Sequence, residues 1–140
     1  MKTFVLTILL FIGSIQIFAV KQPEVVAKAF KQKFPSALNI KWVKDRDNLW
    51  NVSFKLNNKK TSASFSSDGH WIWGEIEKPI NELRDEVKDA IKRDYPRCEI
   101  ISIYLREWVG MGSWYKVKVK CGNSISEASY DEHGWPPPKI

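Results

Sequence analysis

Hydrophobic and polar residues alternate with two different periods along this chain, and the periods separate predicted helices from predicted strands. Between residues 23 and 34, Val26, Phe30 and Phe34 recur every fourth residue, with lysines on most of the other side. This spacing is typical of an amphipathic helix. Residues 80–95 repeat it, and a proline follows each segment, where a helix has to end. The pattern therefore predicts helices over residues 23–34 and 80–95.

The segments after each helix alternate with period two, which is typical of strands that bury one face. Trp50 and Phe54 share one side of a strand that ends at a turn of residues 57–58. This turn sets a register that pairs Trp50 with Phe65. The second half repeats the arrangement around residues 122–123. The apolar side of these strands is predicted to lie against the helices.

The two halves of the chain match each other position by position. The offset is 61 residues through the helix and the first strand, and 65 residues from the second strand onward. Extra residues in the first hairpin loop of the second half account for the change. The sequence thus predicts an α+β fold of two tandem helix-plus-antiparallel-sheet repeats, residues 20–77 and 78–140. Corresponding pairs are Val26 and Val87, Ile40 and Ile101, Trp50 and Tyr115, and Phe65 and Tyr130.

The alternation also predicts which side chains lie on the sheet face away from the helices, here called the helix-free face. The turn at residues 68–69 is Asp-Gly, a strong hairpin signal because a type I′ turn needs positive φ at both central residues. Its register pairs Phe65 with Ile72, so that Trp71 and Trp73 point away from the helices. The other residues predicted for the helix-free face are Lys41, Val43, Lys55, Tyr104, Trp114, Lys116, Lys118 and Lys120.

Two interpretations of these aromatic residues stay open. They can stabilise the sheet through cross-strand pairs or lie buried between the repeats. They can instead form a recognition surface, since Trp and Tyr are frequent anchors of protein interfaces. Residues 107–114 add a glycine-containing apolar hairpin to this surface, and the lysines favour an acidic partner. The predicted partner-binding residues are Trp71, Trp73, Tyr104, Trp108, Trp114, Lys41, Lys116 and Lys118.

Residues 1–19 have the pattern of a signal peptide. Lys2 precedes an apolar run, and Ala19 offers a cleavage site. An uncleaved anchor is the alternative, but the run is short for a span of about 20 residues. We therefore expect an exported protein with no membrane attachment after cleavage. The net charge of +6 is spread along the chain, and export separates it from nucleic acid, so no nucleic-acid partner is expected.

Export also makes a disulfide between Cys98 and Cys121 chemically reasonable. In the predicted register Cys121 lies opposite Arg97 or Glu99, one residue away from Cys98. Neighbouring residues in a regular strand point to opposite faces, which argues against a bond unless Cys98 lies in the preceding loop. A disulfide and a pair of free thiols both stay open.

The chain offers little for catalysis or metal binding. Asp45 and Asp47 form an oxygen-rich hairpin tip that could hold calcium weakly, but the spacing and the bidentate Glu of a calcium loop are missing. A solvated turn is the favoured interpretation. His70 and His133 occupy corresponding turns without metal-ligand spacing. No nucleophile lies in a recognisable catalytic motif, so we expect no catalytic residues, no metal, no cofactor and no enzymatic activity.

Three stretches, Val26–Pro35, Ile40–Trp42 and Phe65–Trp71, resemble the PepSY-like, β-lactamase-inhibitor-protein-like family of exported bacterial proteins. The resemblance implies a tandem fold with one helical layer on a curved antiparallel sheet, and a periplasmic or secreted location. In the best-known relative of this fold the concave sheet grips a protruding loop of a target enzyme. PepSY modules are associated with peptidase inhibition. The chain departs from the family at residues 135–138, where three prolines leave the last strand at an edge or absent.

The leading hypothesis is an exported, non-enzymatic binding protein that inhibits a periplasmic or extracellular enzyme through the helix-free face. One alternative is binding of a carbohydrate or cell-wall polymer through Trp71, Trp73 and Trp114. Another is a structural periplasmic protein that meets its own copy. Lysines, rather than paired hydrogen-bonding groups, surround the tryptophans, which favours an acidic protein or an anionic polymer.

Overall fold

The computed structural model describes residues 20–137, and the predicted signal peptide lies outside the described residues. Over these residues the chain forms one α-helix and four strands, then a second α-helix and three strands. A short 3₁₀ helix, Ile80–Glu82, precedes the second helix. The helices are α1 (Glu24–Lys33) and α2 (Asp85–Asp94), and the strands are β1 (Leu38–Lys44), β2 (Trp50–Leu56), β3 (Lys59–Phe65), β4 (Trp71–Glu77), β5 (Glu99–Trp108), β6 (Gly112–Cys121) and β7 (Ser124–Tyr130).

The seven strands form one antiparallel sheet in chain order, from β1 to β7. The predicted pairs Trp50–Phe65 and Tyr115–Tyr130 are both observed. Strand β4 pairs with β5 and joins the two halves into a continuous sheet. No strand follows β7 within the described residues, where Pro136 and Pro137 have no N–H for a ladder. The α+β prediction is confirmed, with an open sheet of seven strands.

Both helices lie on the same face of the sheet and bury separate cores. Helix α1 places Val26 and Phe30 against β2 and β3, and helix α2 places Val87 and Ile91 against β5, β6 and β7. Pairing across β3, β4 and β5 connects the helix-facing side chains of the two halves in one row. Within residues 20–137, no helix is long and apolar enough to cross a membrane.

The second helix is shorter than its hydrophobic spacing predicts. The 3₁₀ helix ends at Glu82, and Leu83 has an extended backbone with φ −74° and ψ 145°. Leu83 is still buried in the second core, so the hydrophobic spacing is satisfied without a helix. The acidic residues Asp85 and Glu86 form the first turn of α2, where negative charge is favourable.

A bulge between β3 and β4 corrects the predicted position of Trp71. The register shifts between Ser64 and Phe65, so Phe65 pairs with Trp71 and not with Ile72. Trp71 therefore packs against the first core, on the helix side. The ammonium nitrogen of Lys33 in α1 lies 3.9 Å from the centre of its ring. The prediction that Trp71 lies on the helix-free face is wrong.

Two further bulges occur at corresponding places in β1 and β5. The register shifts between Leu38 and Lys41 in β1, and between Ile100 and Ser102 in β5. The corresponding residues Ile40 and Ile101 lie inside these bulges and are 45% and 46% exposed. The second bulge also shifts the pairing of β5 with β6 by one residue.

The shifted strand brings the two cysteines opposite each other. Glu99 pairs with Lys120, and the next pair outward is Cys98 and Cys121, whose sulfur atoms are bonded. Cys98 lies just before β5 begins. The structure thus contains the disulfide that the sequence left open, between the start of β5 and the end of β6.

Candidate functional site

On the helix-free face, aromatic and charged side chains lie together where β4 pairs with β5. Trp73 and Trp108 are direct cross-strand partners, and their ring centres are 6.1 Å apart. The guanidinium carbon of Arg106 lies 4.7 Å from the ring centre of Trp73, where a cation is attracted to an aromatic face. We call Trp73, Arg106 and Trp108 the aromatic stack.

Glu75 fixes the position of Arg106. The two residues are cross-strand partners, and Arg106 donates to Oε2 of Glu75 from Nε at 2.8 Å and from Nη2 at 2.5 Å. The two side chains are only 26% and 16% exposed, so water and salt screen this ion pair less than a surface pair. The guanidinium is therefore oriented before any ligand arrives.

A hollow of about 450 Å³ opens beside the stack. Trp114 enters it from β6, directly opposite Arg106, and Met111 enters it from the tip of the long β5–β6 hairpin. Gly110 and Gly112 have φ of +74° and +97°, values that suit glycine and allow the tip to turn. Aromatic rings and a flexible thioether make walls that adapt to apolar ligands. This aromatic hollow is lined by Arg106, Trp108, Met111, Trp114, Lys116, Ser129 and Pro137.

Basic residues continue from the hollow along β6. The Nζ atoms of Lys116 and Lys118 lie 3.6 and 3.3 Å from the carboxylate of Glu127. The hydrogen bond from Lys118, together with the charges of both lysines, holds the pKa of Glu127 below its usual value. Tyr104 lies opposite Lys116, and burial, followed by two nearby glutamates, raises its pKa. The phenol therefore stays protonated at neutral pH and can donate a hydrogen bond.

The structure places most of the predicted partner-binding residues on one face, but it separates them. Lys41 lies on the edge strand β1, away from the aromatic hollow, and Trp71 lies on the helix side. The residues on the helix-free face are Lys41, Trp73, Tyr104, Trp108, Trp114, Lys116 and Lys118.

Sequence reasoning did not single out Arg106 and Glu75 as residues of this site. Arg106 alternates with Tyr104 and Trp108, so strand parity could have found it. Glu75 could not be assigned to Arg106, because no tight turn fixes the β4–β5 register. Met111 belongs to residues 107–114, the apolar hairpin that the sequence analysis adds to the surface.

The acidic and histidine side chains of the predicted turns contact groups in or next to their own turns. The carboxylate of Asp45 accepts hydrogen bonds from the N–H groups of Asp47 and Leu49, both at 2.9 Å, and from the Asn51 amide at 2.8 Å. The Asn51 bond, the largest contribution, lowers the pKa of Asp45. His70 lies 2.8 Å from Asp68 within its own exposed turn. Over residues 20–137 no group of three His, Cys, Asp or Glu side chains is arranged to hold a metal ion.

Comparison with known proteins identifies the fold but not the activity. No family model matches the chain, and no curated protein matches it significantly. A DUF2874 family protein from Bacteroides uniformis superimposes with a TM-score of 0.76 at 18% identity, over 83% of this chain and 86% of the other. A BLIP-like protein from Bacteroides fragilis gives a TM-score of 0.72 at 19% identity, over 84% of each chain.

A candidate periplasmic protein from Bacteroides eggerthii is similar to the same extent, with a TM-score of 0.76 at 18% identity over 82% of this chain and 85% of the other. Sequence identities this low support the fold alone. The chain has a BLIP-like fold, which confirms that part of the family resemblance.

Proposed function

We propose that this protein is an exported, non-enzymatic binding protein that recognises a protein partner through the helix-free face. The observation that carries the proposal is the aromatic stack with its adjoining hollow. Tryptophan and arginine are the residues most often found at the energetic centre of protein interfaces. Here two tryptophans and an arginine are packed together on strands, and Glu75 holds the arginine in place.

The shape and charge of the aromatic hollow suggest what the partner presents. A volume of about 450 Å³ can accept a few side chains of a projecting loop. Arg106 and Lys116 lie at its wall, so an apolar loop with acidic flanks would fit best. We infer that the partner is a periplasmic or extracellular enzyme whose activity falls when this loop is covered.

Export rests on separate observations. The N-terminal pattern is that of a signal peptide, and the two cysteines form a disulfide. The structurally similar protein from Bacteroides eggerthii is described as periplasmic. Disulfides persist mainly in oxidising compartments. Together these features support a periplasmic or secreted location.

We also infer that the two halves are copies of one PepSY-like unit, the second of which shows three strands up to residue 137 where the first shows four. The corresponding turns at residues 57–58 and 122–123 give the same register. The bulges at Ile40 and Ile101 fall at corresponding positions. Duplication accounts for both coincidences.

The test is capture of a partner from envelope extract, followed by direct measurement. We expect the unaltered protein to retain a protein that Trp108→Ala/Trp114→Ala does not retain. Trp135→Ala is the matched control, because Trp135 is 63% exposed and does not line the hollow. Circular dichroism and thermal unfolding establish that each variant is folded.

The captured protein is then purified and titrated by calorimetry. We expect the double variant to bind at least 100-fold more weakly and the Trp135 variant to bind unchanged. If the partner is an enzyme, its activity should fall in proportion to occupancy. Equal binding by all three proteins would show that another surface is used. Retention of a glycan and no protein would support the carbohydrate alternative instead.

A further inference from the structure

A second hollow on the helix-free face collects unpaired positive charge. It lies mainly on β1, β2 and β3 and reaches β4 and β5 at one side, with a volume of about 420 Å³. Its lining includes Lys41, Lys55 and Lys60 together with Ser53, Ser62, Glu75 and Tyr104. We call it the lysine hollow. Lys55 and Lys60 are direct cross-strand partners, an arrangement of like charges that destabilises an antiparallel pair.

Several other lysines of the sheet and its connections pair with carboxylates, whereas these three do not. Lys116 and Lys118 share Glu127, and Lys59 pairs with Glu82 at 2.8 Å. Between residues 20 and 137, no ion pair involves the ammonium group of Lys41, Lys55 or Lys60. An anion between them would remove the repulsion.

The corresponding positions of the two halves carry different side chains, since Lys116 and Lys118 correspond to Asn51 and Ser53, and Lys120 corresponds to Lys55. With the offset of 65 residues, Glu127 in β7 corresponds to Ser62 in β3. The second half thus carries a carboxylate between its lysines, and the first half carries a hydroxyl. The position that would neutralise the lysine hollow is occupied by a hydrogen-bond donor.

The carboxylates at the edge of the hollow are already engaged. Glu75 lines it but accepts two hydrogen bonds from Arg106. Glu77 accepts a hydrogen bond from the backbone N–H of Lys60 at 3.4 Å. These two negative charges face three lysines and Arg106, so the local charge stays positive.

Hydrogen-bond donors form the floor and one wall. Ser53 and Ser62 are direct cross-strand partners, and their short side chains leave depth between the longer lysines. Tyr104 adds a protonated phenol from the far wall. Hydroxyl and ammonium groups together suit an anion with several acceptor oxygens.

We propose that the lysine hollow binds a tetrahedral oxyanion, a phosphate or sulfate group, either free or carried by a larger molecule. The proposal is independent of the proposed function, because the hollow lies on β1–β5 and shares no lining residue with the aromatic hollow. Its ligand needs negative charge and acceptor oxygens at its centre, whereas the aromatic hollow is proposed to accept apolar side chains with acidic groups only at their flanks.

The test is an NMR titration of the labelled protein with inorganic phosphate and with sulfate, with sodium chloride keeping the ionic strength constant. We expect saturable shifts of backbone amides in β1, β2 and β3. Lys55→Gln/Lys60→Gln should weaken binding at least tenfold, and Ser62→Glu should abolish it. Lys28→Gln/Lys31→Gln removes the same charge from the exposed side of α1 and should leave binding unchanged.

Folding does not confound this experiment, since removing opposed like charges should keep or raise the melting temperature. Trp108→Ala/Trp114→Ala should still bind phosphate, which separates this proposal from the proposed function. A tenfold preference for glycerol phosphate over inorganic phosphate would indicate a group carried on a larger molecule, and equal affinity a free ion. Shifts that chloride reproduces, or equal weakening in the α1 variant, would overturn the proposal.

Discussion

The two halves of the sheet are stabilised by different chemistry. In the first half, the ring of Phe30 has four aromatic neighbours, Phe34, Trp42, Phe54 and Phe65, at centroid distances of 5.0 to 6.2 Å. In the second half, the corresponding residue is Ile91, and the core around it is mainly aliphatic. The second half alone contains the disulfide.

The difference shows two ways to stabilise one backbone pattern. Aromatic side chains bury a large area and gain further from edge-to-face contacts. Smaller side chains bury less, and a cross-link compensates by restricting the unfolded chain. The bulge before Ser102 makes the second solution possible, because it brings Cys98 opposite Cys121. The same bulge in the first half has no cysteines beside it.

The largest effect on stability is expected from a substitution that disrupts the aromatic core. Phe30→Ala should lower the free energy of unfolding by about 3–5 kcal/mol, because Phe30 is 4% exposed and its ring has four aromatic neighbours. Urea unfolding measures this loss. Ile91→Val, a smaller deletion at the corresponding position, serves as the comparison and should cost about 1 kcal/mol. A loss below 1 kcal/mol for Phe30→Ala would show that the rings are not the main support.

The next largest effect on stability is expected from removal of the disulfide. Cys98→Ser/Cys121→Ser should cost about 2–4 kcal/mol through the larger entropy of the unfolded chain. Hydrogen exchange should then speed up at the ends of β5 and β6 and stay slow in β2 and β3. The same result is expected after reduction of the unaltered protein. Uniform loss of protection across the sheet would contradict two separately supported halves.

A third effect compares corresponding glycines that touch the helices. A Cβ on Gly134 would lie 2.6 Å from the backbone oxygen of Glu86, and one on Gly69 would lie 3.0 Å from that of Val25. Both glycines have positive φ, which alone costs alanine about 1–3 kcal/mol. Gly134→Ala should therefore destabilise more than Gly69→Ala in paired thermal unfolding. The reverse order would show that the α2 contact yields easily.

The smallest effect concerns the carboxylate that only the second half has. The folded pKa of Glu127 is lowered, so its contribution to stability is present above the unfolded value near 4.5 and is lost as the pH falls through the folded pKa. The side chain is 47% exposed, and solvent screening limits the effect to about 1 kcal/mol at most. Glu127→Gln should be less stable than the unaltered protein at pH 7 and equal to it at low pH. A gap that persists in acid would contradict an ionic origin.

Hairpin registers could be predicted from the sequence, because the turn residues fix which side chains face each other. Trp50–Phe65 and Tyr115–Tyr130 follow directly from the turns between their strands. The bulges could not be predicted, since the residue types in these strands do not mark where a bulge occurs. A bulge nevertheless reverses which side chains face the helices beyond it. The prediction that Trp71 lies on the helix-free face is wrong because of the bulge between Ser64 and Phe65.

The candidate site was only partly predictable for a related reason. Its aromatic residues follow from parity within single strands. The contact between Glu75 and Arg106 depends on the pairing of β4 with β5, which a helix and its connections separate in the chain. The excess positive charge around Lys55 and Lys60 becomes evident only when the hydrogen bonds of the nearby carboxylates, Glu75 and Glu77, have been assigned.

The order of the strands has a mechanical consequence. Because β1 and β7 are the two edges of the sheet, a pull on the two ends of the folded chain acts across the strands rather than along them. Such a force loads the ladder hydrogen bonds one after another, so the edges peel away at low force. From the β7 side, once β7 has been removed, the covalent bond between Cys98 and Cys121 carries the force past β5 and β6, so that this hairpin is not pulled apart.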